Sequence, residues 1–215
     1  LLFKEKAMDK ILLSVDPMVF NYVPKDAAKK KYGIPENKKV IFFGSAFLNE
    51  RRKGMKYLID ALKKMREHTE INKENILLLI AGNDFELIKS EIPFEYRYLG
   101  LLANNEELAE AFQASDIYVC PSIEDSGPMM INQAIMCGIP SVTYNMGVAM
   151  DLVINGSTGY RAKLMDTDDL ALGITNLLKL DQVTYETYSK NCRELALSSF
   201  TPDVQIEKFE KLFMQ

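Results

Sequence analysis

The stretch Asp116-Ile-Tyr-Val-Cys-Pro-Ser-Ile-Glu-Asp-Ser-Gly-Pro-Met-Met-Ile-Asn-Gln-Ala-Ile-Met-Cys-Gly-Ile-Pro-Ser-Val-Thr-Tyr144 contains one complete strand–helix–strand unit. Asp116 to Pro121 reads as an apolar strand, and Gly127-Pro128 as a polar corner with Pro near the first helical position. A helix follows as far as Gly138, and Ile139 to Tyr144 reads as the next strand. A corner of this kind aims unpaired backbone N–H groups and the positive end of a helix dipole at one point. Such a point suits a phosphate. Asp125 stands just before the corner, and Gln133 lies about one and a half turns into the helix.

The same alternation runs upstream. Lys39 to Gly44 is a short apolar run ending in Gly, and Lys53 to Met65 carries Met55, Leu58, Ile59, Leu62 and Met65 at helical spacing. Asn75 to Gly82 is continuously apolar, which suits a central strand covered on both faces. A helix is predicted from Phe85 to Ser90, a strand from Tyr96 to Gly100, and a helix from Asn104 to Ala114 capped by Asn104 or Asn105. Downstream, Asn155 to Gly159 is a tight turn and Tyr160-Arg-Ala is extended. Helices are then predicted over Asp168–Lys179, Val183–Ser198 and Pro202–Met214, the last with Thr201 as cap. Repeated strand–helix–strand units with short loops imply an α/β fold: a mostly parallel sheet, helices on both faces, and a helical C-terminal tail. Ligands on such sheets bind beyond the carboxyl ends of the strands, where the loops after Gly44, Gly82, Gly100 and Cys120 converge.

Composition narrows the chemistry. The 215 residues are 47% hydrophobic and 26% charged, as in ordinary globular proteins. With 26 basic and 30 acidic residues the formal charge is −4, so no nucleic-acid footprint is indicated. The basic run Lys29 to Lys31 reads as the solvated face of a short helix. Cys120, Cys137 and Cys192 show no metal-ligand spacing, and the first two lie in apolar contexts that suit buried thiols in a reducing compartment. His68, the only histidine, reads as an exposed helix-end residue, so this chain alone supplies no Ser/His or Cys/His nucleophile. No apolar run approaches the ~20 residues that span a bilayer, and Leu1 to Lys6 lacks the long apolar core of a signal peptide. The expected location is cytosolic or peripheral to a membrane.

Arg51-Arg-Lys-Gly54 stands at the start of a helix, where basic residues oppose the dipole at a cost of about 0.3–1 kcal/mol each. Two readings stand side by side: a solvated loop, or Arg52 and Lys53 meeting a bound anion. Likewise Asp125 reads either as an N-cap or as a ligand-facing carboxylate, and Gln133 as a surface amide or a hydroxyl partner. Met129, Met130 and Met136 read as core and helix-packing residues. The first strand ends Gly44-Ser-Ala-Phe without a G-x-G-x-x-G pattern, and no Gly-Lys-Ser/Thr exists, so dinucleotide and P-loop sites are disfavoured. Basic loop, helix N-terminus and acid at one sheet edge outline a sugar-nucleotide pocket.

These features together resemble the C-terminal, donor-binding half of retaining glycosyltransferases of the large group-1 family (family 4), which have the GT-B fold of Rossmann-like domains. The resemblance is carried by Leu12 to Phe20, Arg52-Lys53-Gly54, Ala114 to Ser122, Gln133-Ala-Ile-Met-Cys-Gly-Ile-Pro140 and Val153 to Gly159, in that order and spacing. It implies a signature of two glutamates with seven residues between them, whose places here fall to Asp125, beside the donor sugar, and Gln133, on the ribose hydroxyls. Ser126, Gly127, Met129 and Met130 would offer backbone amides to the sugar and diphosphate. Lys53 and Arg52 would hold the diphosphate and stabilise charge on the leaving nucleotide. Gly100, Leu101 and Leu102 would lie near the base. Ser45 stands where many members carry an arginine that also meets the diphosphate, Asp125 is one methylene shorter than Glu, and Gln133 loses charge-assisted bonds about twice as strong as neutral ones.

The resemblance also implies no metal and no cofactor beyond the nucleotide diphosphate-sugar itself. It implies a partner domain on the amino-terminal side that binds the acceptor, so the chain is expected to be one half of an enzyme, inactive alone. Residues 1–20 would form the interdomain entry segment, 21–200 the nucleotide-sugar-binding domain, and 201–215 a helix packing on the other half. The full-length enzyme would work in the cytoplasm, with peripheral association at the inner face of the membrane as an option. A nucleotide-sugar epimerase of the same fold and a degenerate, non-catalytic interaction domain are the alternatives.

Overall fold

A computed structural model describes residues 10–68, 72–125 and 127–214. The first half of the predicted entry segment, Ser126 and the side chain of His68 lie outside the described residues. Six strands form one sheet: β1 (Lys39–Phe47), β2 (Ile76–Asn83), β3 (Glu95–Tyr98), β4 (Ile117–Cys120), β5 (Ser141–Tyr144) and β6 (Gly159–Ala162). Every neighbouring pair is parallel, in the order β3-β2-β1-β4-β5-β6. The helices are α1 (Lys25–Lys31), α2 (Met55–His68), α3 (Asn105–Gln113), α4 (Met129–Met136), α5 (Ala149–Leu152), α6 (Thr167–Leu178), α7 (Gln182–Ser199) and α8 (Pro202–Phe213).

The continuous apolar runs are explained by burial on both faces. Val40, Phe42, Leu77, Leu79, Tyr118 and Cys120 point to one core, shared with α3, α4, α5 and α7. Ile41, Phe43, Ile76, Leu78, Ile80, Ile117 and Val119 point to the other, filled by α2 and α6. The spacing Met55, Leu58, Ile59, Leu62, Met65 is the buried stripe of α2, as its period predicts. Phe42, Phe112 and Tyr118 meet edge to face in the first core, with ring centroids of 5.1 Å for Phe42–Phe112 and 5.3 Å for Phe112–Tyr118. Side-chain caps fix several helix starts: Asn104 accepts from the Glu107 N–H, Asp166 from those of Asp168 and Asp169, and Thr201 from that of Val204.

Four local expectations need correction. β1 runs past Gly44 to Phe47 through a register shift, because Phe47 pairs again with Asn83 of β2. Phe85 to Ser90 is not one helix but two 3₁₀ turns, Phe85–Leu87 and Lys89–Glu91, in a segment too short for α-helical nucleation. β3 stops at Tyr98, and Gly100 at φ +73° turns the chain away from the sheet. Lys29 is not solvated: it is 4% exposed, and its ammonium meets the Asp116 carboxylate at 3.0 Å. Lys30 and Lys31 are exposed as expected.

Asp116 therefore organises the amino edge of the sheet. Its Oδ1 pairs with Lys25 at 3.2 Å, and its Oδ2 accepts the Val40 N–H at 2.7 Å. Its backbone carbonyl accepts from the Tyr185 hydroxyl of α7 at 2.9 Å. Burial would raise this carboxyl, but the ammoniums of Lys25 and Lys29 and the Val40 N–H together hold it below the usual range.

Candidate functional site

β1 and β4 are neighbours in the sheet, yet the chain leaves them toward opposite faces: into α2 on one side and α4 on the other. A crevice must open where the two loops part, beyond the carboxyl ends of the strands. The structure has a cleft of about 560 Å³ there. One wall is the end of β1 from Phe43 to Phe47 with Glu50, Arg52 and Lys53; the other is Tyr118, Cys120 to Ser122 and Pro128 to Met130.

The two loops are joined backbone to backbone. Ile123 donates its N–H to the Arg52 carbonyl at 2.9 Å. Gly54, at φ +77°, lies so close that a Cβ there would stand 1.8 Å from the Pro121 oxygen. Arg51–Lys53 form a 3₁₀ turn ahead of α2, and Gly54 in the left-handed conformation lets the chain turn between them. Lys53 is thereby carried to the opposite loop, where its Nζ pairs with the Asp125 Oδ2 at 2.5 Å. Asp125 Oδ1 accepts the Gly127 N–H at 3.2 Å. Asp125 is thus not the cap of α4; that position is Pro128, which supplies no side-chain bond. The N–H groups of Met129 and Met130, the first of α4, have no acceptor within the helix, and both residues line the cleft.

Of the residues singled out from the sequence, Ser45, Arg52, Lys53, Met129 and Met130 line this cleft, and Asp125 joins it through Lys53. Ser45 donates its hydroxyl to the Phe47 carbonyl at 3.1 Å, and Arg52 pairs with Glu50. Gly127 borders an adjoining hollow with Leu13 and Met129. Gln133 is buried in α4 rather than on the surface, and among the described residues its Oε1 has no hydrogen-bond partner. Gly100 accepts the Gly82 N–H at 2.8 Å, Leu101 is exposed, and Leu102 packs on the same core as Met129 and Met130. These three form a separate part of the same sheet edge. Ser126 lies outside the described residues.

The sequence reading missed Phe47, which is 54% exposed at the rim of the cleft. Its position three residues after the strand-ending Gly44, at the ligand edge, was the available signal. Tyr118 and Cys120 form the cleft floor; burial pushes both acids up, so the thiol stays protonated and supplies no thiolate. Among the described residues no group of three or more His, Cys, Asp or Glu is placed to hold a metal, and no helix is long and apolar enough to cross a membrane.

A parallel sheet in this order, with a basic loop and a helix N-terminus flanking the switch-point cleft, defines a Rossmann-like α/β domain. The family model for glycosyl transferases group 1 matches residues 24–195, and the chain belongs to that family as a C-terminal-type domain of the GT-B fold. It is 26% identical to N-acetyl-alpha-D-glucosaminyl L-malate synthase of Bacillus anthracis over 86% of this chain and 48% of that protein. Sucrose-phosphate synthase from Thermosynechococcus elongatus has a similar fold, with TM-score 0.79 and 21% identity over 94% of this chain and 51% of that one. Anabaena HepE, solved in complex with UDP-glucose, aligns with TM-score 0.73 and 21% identity, covering 94% of this chain and 56% of that one. The chain thus spans about half the length of each of these three proteins.

Proposed function

We propose that this chain is the donor-binding half of a glycosyltransferase that moves a sugar from a nucleotide diphosphate-sugar to an acceptor hydroxyl with retention of configuration, the acceptor site lying on a partner domain. The observation that carries it is the convergence of the Lys53 ammonium and the uncapped start of α4 on one cleft of nucleotide-phosphate size. Family membership supports it, as does the UDP-glucose bound by the similarly folded HepE. In this scheme Lys53 and Arg52 neutralise the diphosphate, and the amides of Met129 and Met130 hold its oxygens, that of Gly127 being taken by Asp125. The orphaned Gln133 Oε1 takes a ribose hydroxyl, and Leu101 and Leu102 flank the base. Lys53 would also stabilise charge on the departing nucleoside diphosphate, which needs no metal from this chain.

Calorimetric titration with UDP-, GDP- and ADP-sugars tests the proposal. One of them is expected to bind with Kd between about 1 μM and 1 mM, or roughly −8 to −4 kcal/mol. Lys53→Ala is expected to remove measurable nucleoside diphosphate binding, since a partly buried charge partner is worth ~2–5 kcal/mol. Unaltered affinity in that variant would overturn the role of Lys53, and no binding of any donor would favour a degenerate interaction domain.

A further inference from the structure

We propose that Asp125 is a resident counter-anion for Lys53: it occupies the ammonium that a phosphate would take and sets how much negative charge a ligand needs to enter the cleft. Only the identity of the natural ligand rests on the donor-binding function above; the pairing is a property of this chain. Lys53 Nζ and Asp125 Oδ2 are 2.5 Å apart, with side chains 24% and 12% exposed. The other carboxylate oxygen is held by the Gly127 N–H, so the carboxylate is tied to the corner that precedes α4. The second cation of the cleft, Arg52, is paired with Glu50, which lines the same cleft. Both cations at the cleft wall therefore carry acidic partners, which leaves the lining close to neutral.

An incoming anion must displace the carboxylate from Lys53 or lie beside it against like charge. A monoanion gains nothing by that exchange. A diphosphate brings two or more charges and can reach Lys53 and the start of α4 together, so it can offset the lost pair where a smaller anion cannot. The pairing also assigns Asp125 a role different from contact with a sugar. One methylene shorter than Glu and engaged at both oxygens, its carboxylate is committed to Lys53 and the Gly127 N–H. After transfer, re-pairing with Lys53 would help expel the nucleoside diphosphate.

The test titrates inorganic pyrophosphate, inorganic phosphate and nucleoside diphosphates into the wild-type chain, Asp125→Asn, Lys53→Met and the double variant at low salt. Asp125→Asn is expected to bind pyrophosphate roughly tenfold more tightly, and phosphate more tightly by a smaller factor because the repulsion removed scales with ligand charge. The gain is expected to vanish in the Lys53→Met background, which a general structural effect would not do. Asp125→Ser, which keeps an acceptor for the Gly127 N–H without the charge, should reproduce the gain if the Asn variant folds poorly. Unchanged or weaker pyrophosphate binding in the neutral variants, or a gain that survives loss of Lys53, overturns the proposal. Should nucleoside diphosphates bind no better than pyrophosphate in any form, donor recognition fails while the pyrophosphate result still decides the role of Asp125.

Discussion

Position 54 shows how one residue places the site. Its φ of +77° costs an alanine about 1–2 kcal/mol before any contact is considered. The missing Cβ would also overlap the Pro121 carbonyl at 1.8 Å, so the two loops would have to part. Gly54→Ala is expected to lower unfolding free energy by about 2–4 kcal/mol in urea titrations and to weaken nucleotide binding as well. The second effect follows because parting the loops carries Lys53 away from Asp125 and from α4. Stability equal to wild type would contradict the close approach of the loops. Arg52-Lys53-Gly54 was legible as a basic loop at the ligand edge, but its partner was not. Asp125 is 72 positions away, and no local pattern signals a pair that only the sheet order brings together.

At the scale of elements, apolar period and turn residues were enough to place the six strands and the longer helices, because each long element buries a face whose spacing shows in the sequence. Asp116 to Tyr144 is the clearest case: β4, the corner and α4 follow the predicted order, and β5 ends at Tyr144 as read. Short segments failed where tertiary pairing overrides local preference, as in the overrun of β1 to Phe47 and the unpredicted α5. Arg193 of α7 is a further element-level tie without a local signal. Its guanidinium donates to the carbonyls of Phe20 at 2.7 Å and Pro17 at 3.2 Å, and to that of Met136 at the end of α4. It thus joins the entry segment to the carboxyl end of the helix whose start faces the cleft, where a cation also suits the dipole. Arg193→Met is expected to cost about 2–3 kcal/mol in thermal or urea melts, because three half-buried carbonyls lose a charged donor. Arg193→Lys should recover only part of this, since an ammonium cannot span the same three acceptors.

At the scale of the whole molecule, the two edges of the sheet differ in make-up: the carboxyl edge carries the cleft of the candidate site, and the amino edge is held together by a charge cluster that lines a second hollow of about 800 Å³. Asp116 of the β4 entry, Val40 of β1, Lys25 and Lys29 of α1 and Tyr185 of α7 meet there. A buried ammonium, Lys29, and a partly buried one, Lys25, share one carboxylate, and that imbalance makes stability depend on pH. Burial pushes Lys25 down to about 8, with Asp116 resisting the shift. In the unfolded chain the same amine titrates near 10.4. Between those values the unfolded state binds more protons, so stability should rise with pH, by up to about 3 kcal/mol from this residue. Asp116 acts at the other end: its folded carboxyl is held low, so its contribution is present above about pH 4 and is lost as pH falls below that. Urea titrations of the wild type and Lys25→Met across about pH 8 to 10.5 isolate the first effect, because surface lysines titrate alike in both. The wild type is expected to gain on the variant steadily through this range. A constant difference between them would mean that Lys25 keeps an ordinary amine in the folded state and that burial beside Asp116 does not hold it down.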